Sequence, residues 1–201
     1  MPMRVAVCLS GRGSNLEALL AACRRDPAAA VALVLSNRAD AGGLAIARGA
    51  GIAAEVLPDP ADAADWLERL ERHAIELIVL AGYLSLVPAG VIAPYRNRIV
   101  NIHPALLPSF GGPGMYGRRV HQAVLASGGT ESGATVHLVD EVYDRGAVLA
   151  QARVPVRPDD TPATLARRVL DAEHRLLPAV VLAAARAGRP IPLDALPQPI
   201  S

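Results

Sequence analysis

Apolar residues gather into short runs that alternate with stretches where they recur every three or four positions, and this alternation predicts the fold. Residues 4–9, 31–36, 54–57, 77–81 and 98–102 read as strands, several almost wholly apolar, as strands covered on both faces should be. Helical patterns fill the gaps at about 15–24, 43–50 (stopped by Gly51) and 62–73, with a shorter turn near 88–93. This strand–helix rhythm predicts an α/β fold with a single doubly wound, mainly parallel sheet.

Past Asn101 the pattern changes. A Gly/Pro-rich loop at 104–117 precedes a helix at 119–126, then two strands at 133–139 and 147–155 joined by a short polar loop. So brief a connection permits an antiparallel hairpin and no crossover helix. One long amphipathic helix runs from Thr161 towards Ala187, with Leu165, Val169, Ala172 and Leu176 on one face and an expected kink at Pro178. Residues 188–201 form a Pro-rich, extended tail. There is no repeat and no interdomain linker, so residues 1–201 read as one domain.

Composition narrows the function. The 201 residues are 52% hydrophobic and 19% charged, with net charge +1. Without a basic stripe there is no electrostatic reason to expect nucleic acid or a membrane surface. All 20 basic residues are Arg, which excludes Schiff-base chemistry and a Walker-type phosphate lysine. Cys8 and Cys23 lack redox or zinc spacing and read as small buried hydrophobes. With no signal-peptide pattern and no apolar run near membrane length, a cytoplasmic location is expected.

Candidate chemistry concentrates at strand ends. Arg98-Ile-Val-Asn-Ile-His-Pro-Ala-Leu-Leu-Pro108 closes an apolar strand on Asn101 and His103, which share a face because side chains two apart point the same way. An amide donor beside an imidazole that titrates near neutrality suits acyl chemistry. The plainer alternative has His103 satisfying a loop carbonyl and Asn101 closing a turn. Strand one empties into Ser10-Gly-Arg-Gly-Ser-Asn-Leu16, a Gly-rich helix start whose free N–H groups invite a phosphate. Ser14 is also expected to cap that helix. Leu16 replaces the third Gly of the dinucleotide fingerprint and strand two ends Ser36-Asn37-Arg38 without a carboxylate, which weakens an NAD reading. Arg12 reads equally as added charge or a solvated arginine.

The loop His137-Leu-Val-Asp-Glu-Val-Tyr-Asp-Arg-Gly146 brings Asp144 towards His103 if the hairpin packs beside strand five. A neighbouring carboxylate favours the imidazolium, so His103 is expected protonated and available as an acid. Ordinary turn solvation accounts equally for Asp144, and is the preferred reading for Glu141. His137, alternating with Val136 and Leu138, and His73, at a helix end, read as structural, whereas His121 reads either way. His103, His121, His137 and His174 show no metal-ligand spacing, so no metal is expected. Glu173, beside the apolar stripe of the last helix, is a solvated shoulder or an acceptor for ribose hydroxyls.

Taken together, Gly11-Arg-Gly-Ser-Asn15, Leu80-Ala-Gly-Tyr83, Asn101-Ile-His-Pro-Ala-Leu-Leu-Pro108 and the segment from Asp140 to Gly146 resemble the phosphoribosylglycinamide formyltransferases of purine synthesis, in order and with compatible spacing from about Arg4 to Pro178. The resemblance implies a Rossmann-like formyltransferase fold. It also implies formyl transfer from 10-formyltetrahydrofolate, as co-substrate, to the glycine amine of 5′-phosphoribosylglycinamide. It carries the catalytic role to Asn101, His103 and Asp144, the substrate phosphate to Gly13, Ser14 and Asn15, and the ribose to Glu173. Leu84, Ser85, Leu86 and Val87, with Asn101, Val139 and Asp140 opposite, would hold the folate pterin. On this reading residues 1–100 form a phosphate-binding half and 101–187 a catalytic and folate-binding half. Ser85 stands where many relatives carry Arg, and 59–65 offers no clear arginine for the folate tail.

Small-molecule reactants are therefore expected, with neither nucleic acid nor membrane as partner, in a monomer or homodimer. The runner-up readings are another folate formyl enzyme, acting on methionyl-tRNA or a nucleotide sugar or hydrolysing the donor, and a non-catalytic nucleotide-binding module. The tRNA enzyme and the hydrolase would need an additional module for which 201 residues leave no room.

Overall fold

The structure, a computed structural model, describes residues 1–193. The tail expected at 188–201 lies largely outside the described residues. Among the described residues seven strands form one sheet: β1 (Met3–Leu9), β2 (Ala29–Ser36), β3 (Ala53–Val56), β4 (Leu77–Leu80), β5 (Ile99–His103), β6 (Glu131–Leu138) and β7 (Val148–Pro155). Their order is β3-β2-β1-β4-β5-β6-β7. The first five are parallel, and β6 and β7 run antiparallel, as the short loop between them requires.

Helices cover both faces. α1 (Ser14–Arg25), α2 (Gly42–Gly49), α5 (Arg118–Ala126) and α6 (Pro162–Ala187) contribute to one core, in which Val5, Val7, Val100, Ile102, Ala134 and Val136 meet Leu16, Leu44, Val124, Val169 and Leu176. α3 (Ala63–Arg72) and α4 (Ala89–Ile92) close the other core over Ala6, Cys8, Leu33, Leu35, Ile78, Leu80 and Ile99. The near-continuous apolar strands thus follow from burial on two sides.

Element ends differ from the sequence pattern by one or two residues, with one consequence for chemistry: His103 belongs to β5. α6 runs unbroken through Pro178, which is buried in the helix. Packing of Leu176, Leu177, Val180 and Val181 holds that segment helical. Thr161 caps α6 and accepts from the Thr164 N–H. The expected Ser14 cap of α1 is a correction. Gly13 takes the cap position with φ 88°, and among the described residues no side chain caps the helix.

Trp66 on α3 ties the second core to the sheet's upper edge. It is fully buried, its indole N–H donates to the Pro60 carbonyl at 3.1 Å, and its ring meets Tyr83 edge-on at 5.6 Å. Removing that ring leaves a large void, so Trp66→Ala should destabilise the fold by about 3–5 kcal/mol in urea denaturation. A loss below about 1 kcal/mol would contradict this packing account.

Candidate active site

β1 has β2 on one side and β4 on the other, so the crossovers diverge there, and a crevice opens beyond the carboxyl ends of the strands. The cleft at this point has a volume of about 900 Å³ and is walled by Gly11–Asn15 after β1, the segment 80–89 after β4, Asn101–Pro104 from β5, and residues 139–144. Every candidate site residue drawn from the sequence lines it: Gly13, Ser14, Asn15, Leu84, Ser85, Leu86, Val87, Asn101, His103, Val139, Asp140, Asp144 and Glu173.

At one end, backbone geometry makes an anion cradle. The left-handed Gly13 turns β1 into α1, and the first helical hydrogen bond runs from the Glu17 N–H to the Gly13 carbonyl at 3.0 Å. The preceding helical N–H groups therefore have no intrahelical acceptor and point at the cleft end of the helix dipole. A Cβ on Gly13 would lie 2.7 Å from the Gly43 Cα, so glycine is needed for conformation and for space. Asn15 Nδ2 donates to Glu173 Oε2 at 2.7 Å, linking α1 to α6. Burial pushes the Glu173 carboxyl up to about 7, and the Asn15 hydrogen bond only partly opposes it.

At the other end, β5 and β6 face each other with Asn101 opposite His137 and His103 opposite Thr135. Cross-strand partners share a face, so all four side chains stand on the same side of the sheet. Thr135 Oγ1 accepts from the Leu107 N–H and donates to the Ala105 carbonyl, and Gln151 Nε2 donates to the Leu107 carbonyl. These bonds fix the loop that leaves His103. Phe110 turns through the left-handed region (φ 57°), unfavourable for a bulky residue, and its carbonyl accepts from His103 Nε2 at 2.8 Å. The Nε2 proton is thereby committed, and Nδ1 faces Asp144 Oδ2 at 3.7 Å.

Asp144 also adopts a positive φ (53°), which short polar side chains tolerate. Its Oδ2 accepts from the Gly112 N–H at 2.8 Å, and its Oδ1 lies 3.4 Å from His137 Nε2. A Cβ on Gly111 would stand 3.1 Å from the Asp144 Cβ, so the glycines of this loop let the carboxylate approach. Burial opposes ionisation of Asp144, but His137, the Gly112 N–H and His103 outweigh it and hold the carboxyl below its ordinary range.

The expected protonation of His103 is corrected by its surroundings. Burial is the largest influence and lowers the imidazole below its ordinary value; Asp144 and the Phe110 carbonyl pull it back without overcoming burial. Near neutrality, therefore, His103 presents an unprotonated Nδ1. His137, read from sequence as structural, sits among these groups. Its Nδ1 donates to the Leu138 carbonyl at 2.7 Å, and its Nε2 lies 3.0 Å from Asn101 Nδ2 and 3.4 Å from Asp144 Oδ1. The Asn101 contact orients the amide and leaves its second N–H for a ligand.

Asn37, at the end of β2, is a further site residue that the sequence pattern does not mark. The Leu84 N–H donates to Ser10 Oγ, Ser10 donates to Asn37 Oδ1, and Asn37 Nδ2 donates to Ser85 Oγ. The chain pins the segment after β4, whose exposed Leu84 and Leu86 face the cleft with Val142 and Tyr143. A flat apolar guest with polar edges fits such a slot. His121 is buried on α5 outside the cleft lining, and His73 caps α3 beside Glu55. Among the described residues no group of three or more His, Cys, Asp or Glu is arranged to hold a metal, and no helix is long and apolar enough to cross a membrane.

The chain is similar to known proteins in sequence and in fold. Residues 3–181 match the formyl transferase family. A chloroplastic phosphoribosylglycinamide formyltransferase of Arabidopsis thaliana is 43% identical over 186 residues, covering 89% of this chain and 64% of the plant protein. The chain thus spans about two thirds of that relative's length. Phosphoribosylglycinamide formyltransferase of Escherichia coli (strain K12) is 37% identical over 186 residues, 89% of this chain and 85% of that one. The crystal structure of phosphoribosylglycinamide formyltransferase from Anaplasma phagocytophilum superposes with TM-score 0.86 at 38% identity, covering 93% of this chain and 88% of the other.

Two titrations check the electrostatics. Asp144→Asn removes the carboxylate that raises His103, so NMR should find the His103 pKa lower in the variant than in wild type; a rise would contradict the balance described. Glu173 has a raised folded pKa, so its contribution to stability is full below about 4.5 and is lost as pH climbs through about 7. Relative to Glu173→Gln, wild type should lose stability over that window in urea melts, and a constant difference would refute the shift.

Proposed function

The chain belongs to the formyl transferase family, and from that premise we propose that it transfers the formyl group of 10-formyltetrahydrofolate to the primary amine of 5′-phosphoribosylglycinamide, in purine synthesis. One observation carries the reading: Asn101, His103 and Asp144 line the same cleft as the α1 anion cradle and Glu173. A phosphorylated sugar anchored at Gly13, Ser14, Asn15 and Glu173 can then present its amine to a carbonyl held beside Asn101. The segment Leu84, Ser85, Leu86 and Val87, facing Val139 and Asp140, takes the planar pterin.

The amine attacks the formyl carbon, forming a C–N bond and moving the carbonyl electron pair onto oxygen. The free Asn101 N–H stabilises that oxyanion where charge develops. The new ammonium gives a proton to His103 Nδ1, and the resulting imidazolium is stabilised by Asp144 Oδ2. As the intermediate collapses, the C–N bond to folate breaks and His103 returns the proton to the departing nitrogen. His103 thus acts first as base and then as acid, the order its lowered pKa favours. His137 keeps the amide turned. The reactants are small molecules, and the enzyme acts in the cytoplasm as a monomer or homodimer.

Purified protein should release tetrahydrofolate from the formyl donor only when 5′-phosphoribosylglycinamide is added, followed by absorbance; acceptor-independent release or none would refute the proposal. Asn101→Ala should lower kcat on the order of a hundredfold or more. His103→Ala and Asp144→Asn should lower kcat far more than they weaken phosphate binding, and the opposite ranking would reassign the site.

A further inference from the structure

Asn15 occupies two places at once. As the second residue of α1 its backbone N–H belongs to the anion cradle, while its side chain crosses to α6 and donates to Glu173 Oε2 at 2.7 Å, a buried bond between residues 158 positions apart. A side chain spent on Glu173 is not free to wrap a phosphate. Its orientation is one-sided as well: Asn15 Oδ1 is buried with no hydrogen-bond partner among the described residues. A buried orphan acceptor is unfavourable, and here it follows from turning the donor end of the amide to the carboxylate. Among the described residues Glu173 receives only this bond, and the rest of its carboxyl group meets the cleft.

From this juxtaposition we propose that Asn15 is a positioning residue: its carboxamide holds one oxygen of Glu173 so that the other is presented to sugar hydroxyls at a fixed distance from the anion cradle. The inference rests on the phosphorylated-sugar reading above and assigns Asn15 a task distinct from phosphate ligation. The amide donor favours the ionised carboxylate against its burial, and an ionised carboxylate is the better acceptor for two hydroxyls. Because backbone and side chain of one residue serve the two ends, the cradle and the hydroxyl acceptor keep their spacing when either is loaded. Recognition of a ribose phosphate is then greater than recognition of its phosphate alone.

Calorimetric titration with inorganic phosphate and with ribose 5-phosphate separates the possibilities, using wild type, Asn15→Ala, Glu173→Ala and the double variant. Asn15→Ala should weaken ribose 5-phosphate by about tenfold or more while changing phosphate affinity less than about threefold, and in the Glu173→Ala background its effect on ribose 5-phosphate should fall below about threefold. Equal losses for the two probes, or losses that multiply in the double variant, would overturn the role of Asn15 and leave the functional reading standing. Failure of wild type to bind ribose 5-phosphate would overturn both. Should Asn15→Ala fail to fold by circular dichroism, Asn15→Ser keeps a small donor out of reach of Glu173, and the same selective loss is required of it.

Discussion

Everything at the reactive end of the cleft depends on the antiparallel register of β5 and β6. Asn101 stands opposite His137 and His103 opposite Thr135, so one strand pair places an amide, two imidazoles and a hydroxyl on one face. A slip of β5 by one residue would turn Asn101 and His103 into the core and bring Val100 and Ile102 out of it. That apolar set on the reverse face fixes the register, because it is buried under α6 and cannot be exchanged for polar groups. Burial of one face thereby dictates the chemistry of the other.

Desolvation sets the ionisation states, and neighbours correct it unequally. His103 is held neutral because burial exceeds the pull of a carboxylate 3.7 Å away. Asp144 stays ionised because the Gly112 N–H and the His137 ring outweigh its burial. Glu173, with one amide donor, is raised to about 7. Three titratable groups in a single cleft thus differ through the number and kind of their partners. This arrangement has a neutral base poised to become a cation, with its counter-charge already in place.

Much of the architecture was legible in the sequence because strands buried on two faces leave continuous apolar runs, and the brief acidic loop before Gly146 could only close a hairpin. The pairing of Asn101 with His103 followed from strand periodicity alone. The rest depended on quantities that periodicity does not carry. His137 read as structural because strand register is tertiary information. Ser14 read as a cap because a left-handed Gly13 is not distinguishable from an ordinary loop glycine. His103 read as protonated because the presence of Asp144 is visible in sequence whereas the depth of burial is not. Asn37 carries no sequence signal, since its role arises only once β1, β2 and β4 stand side by side.

The central claim is that a single carbonyl carbon is held between the anion cradle and the Asn101–His103–Asp144 corner. A crystal structure of the protein with 5′-phosphoribosylglycinamide and an unreactive formyl-folate analogue tests it most directly. The account predicts the amine nitrogen about 3–3.5 Å from the formyl carbon, with the formyl oxygen about 2.7–3.1 Å from Asn101 Nδ2. A formyl oxygen turned to solvent, or a phosphate seated away from Gly13, would contradict it.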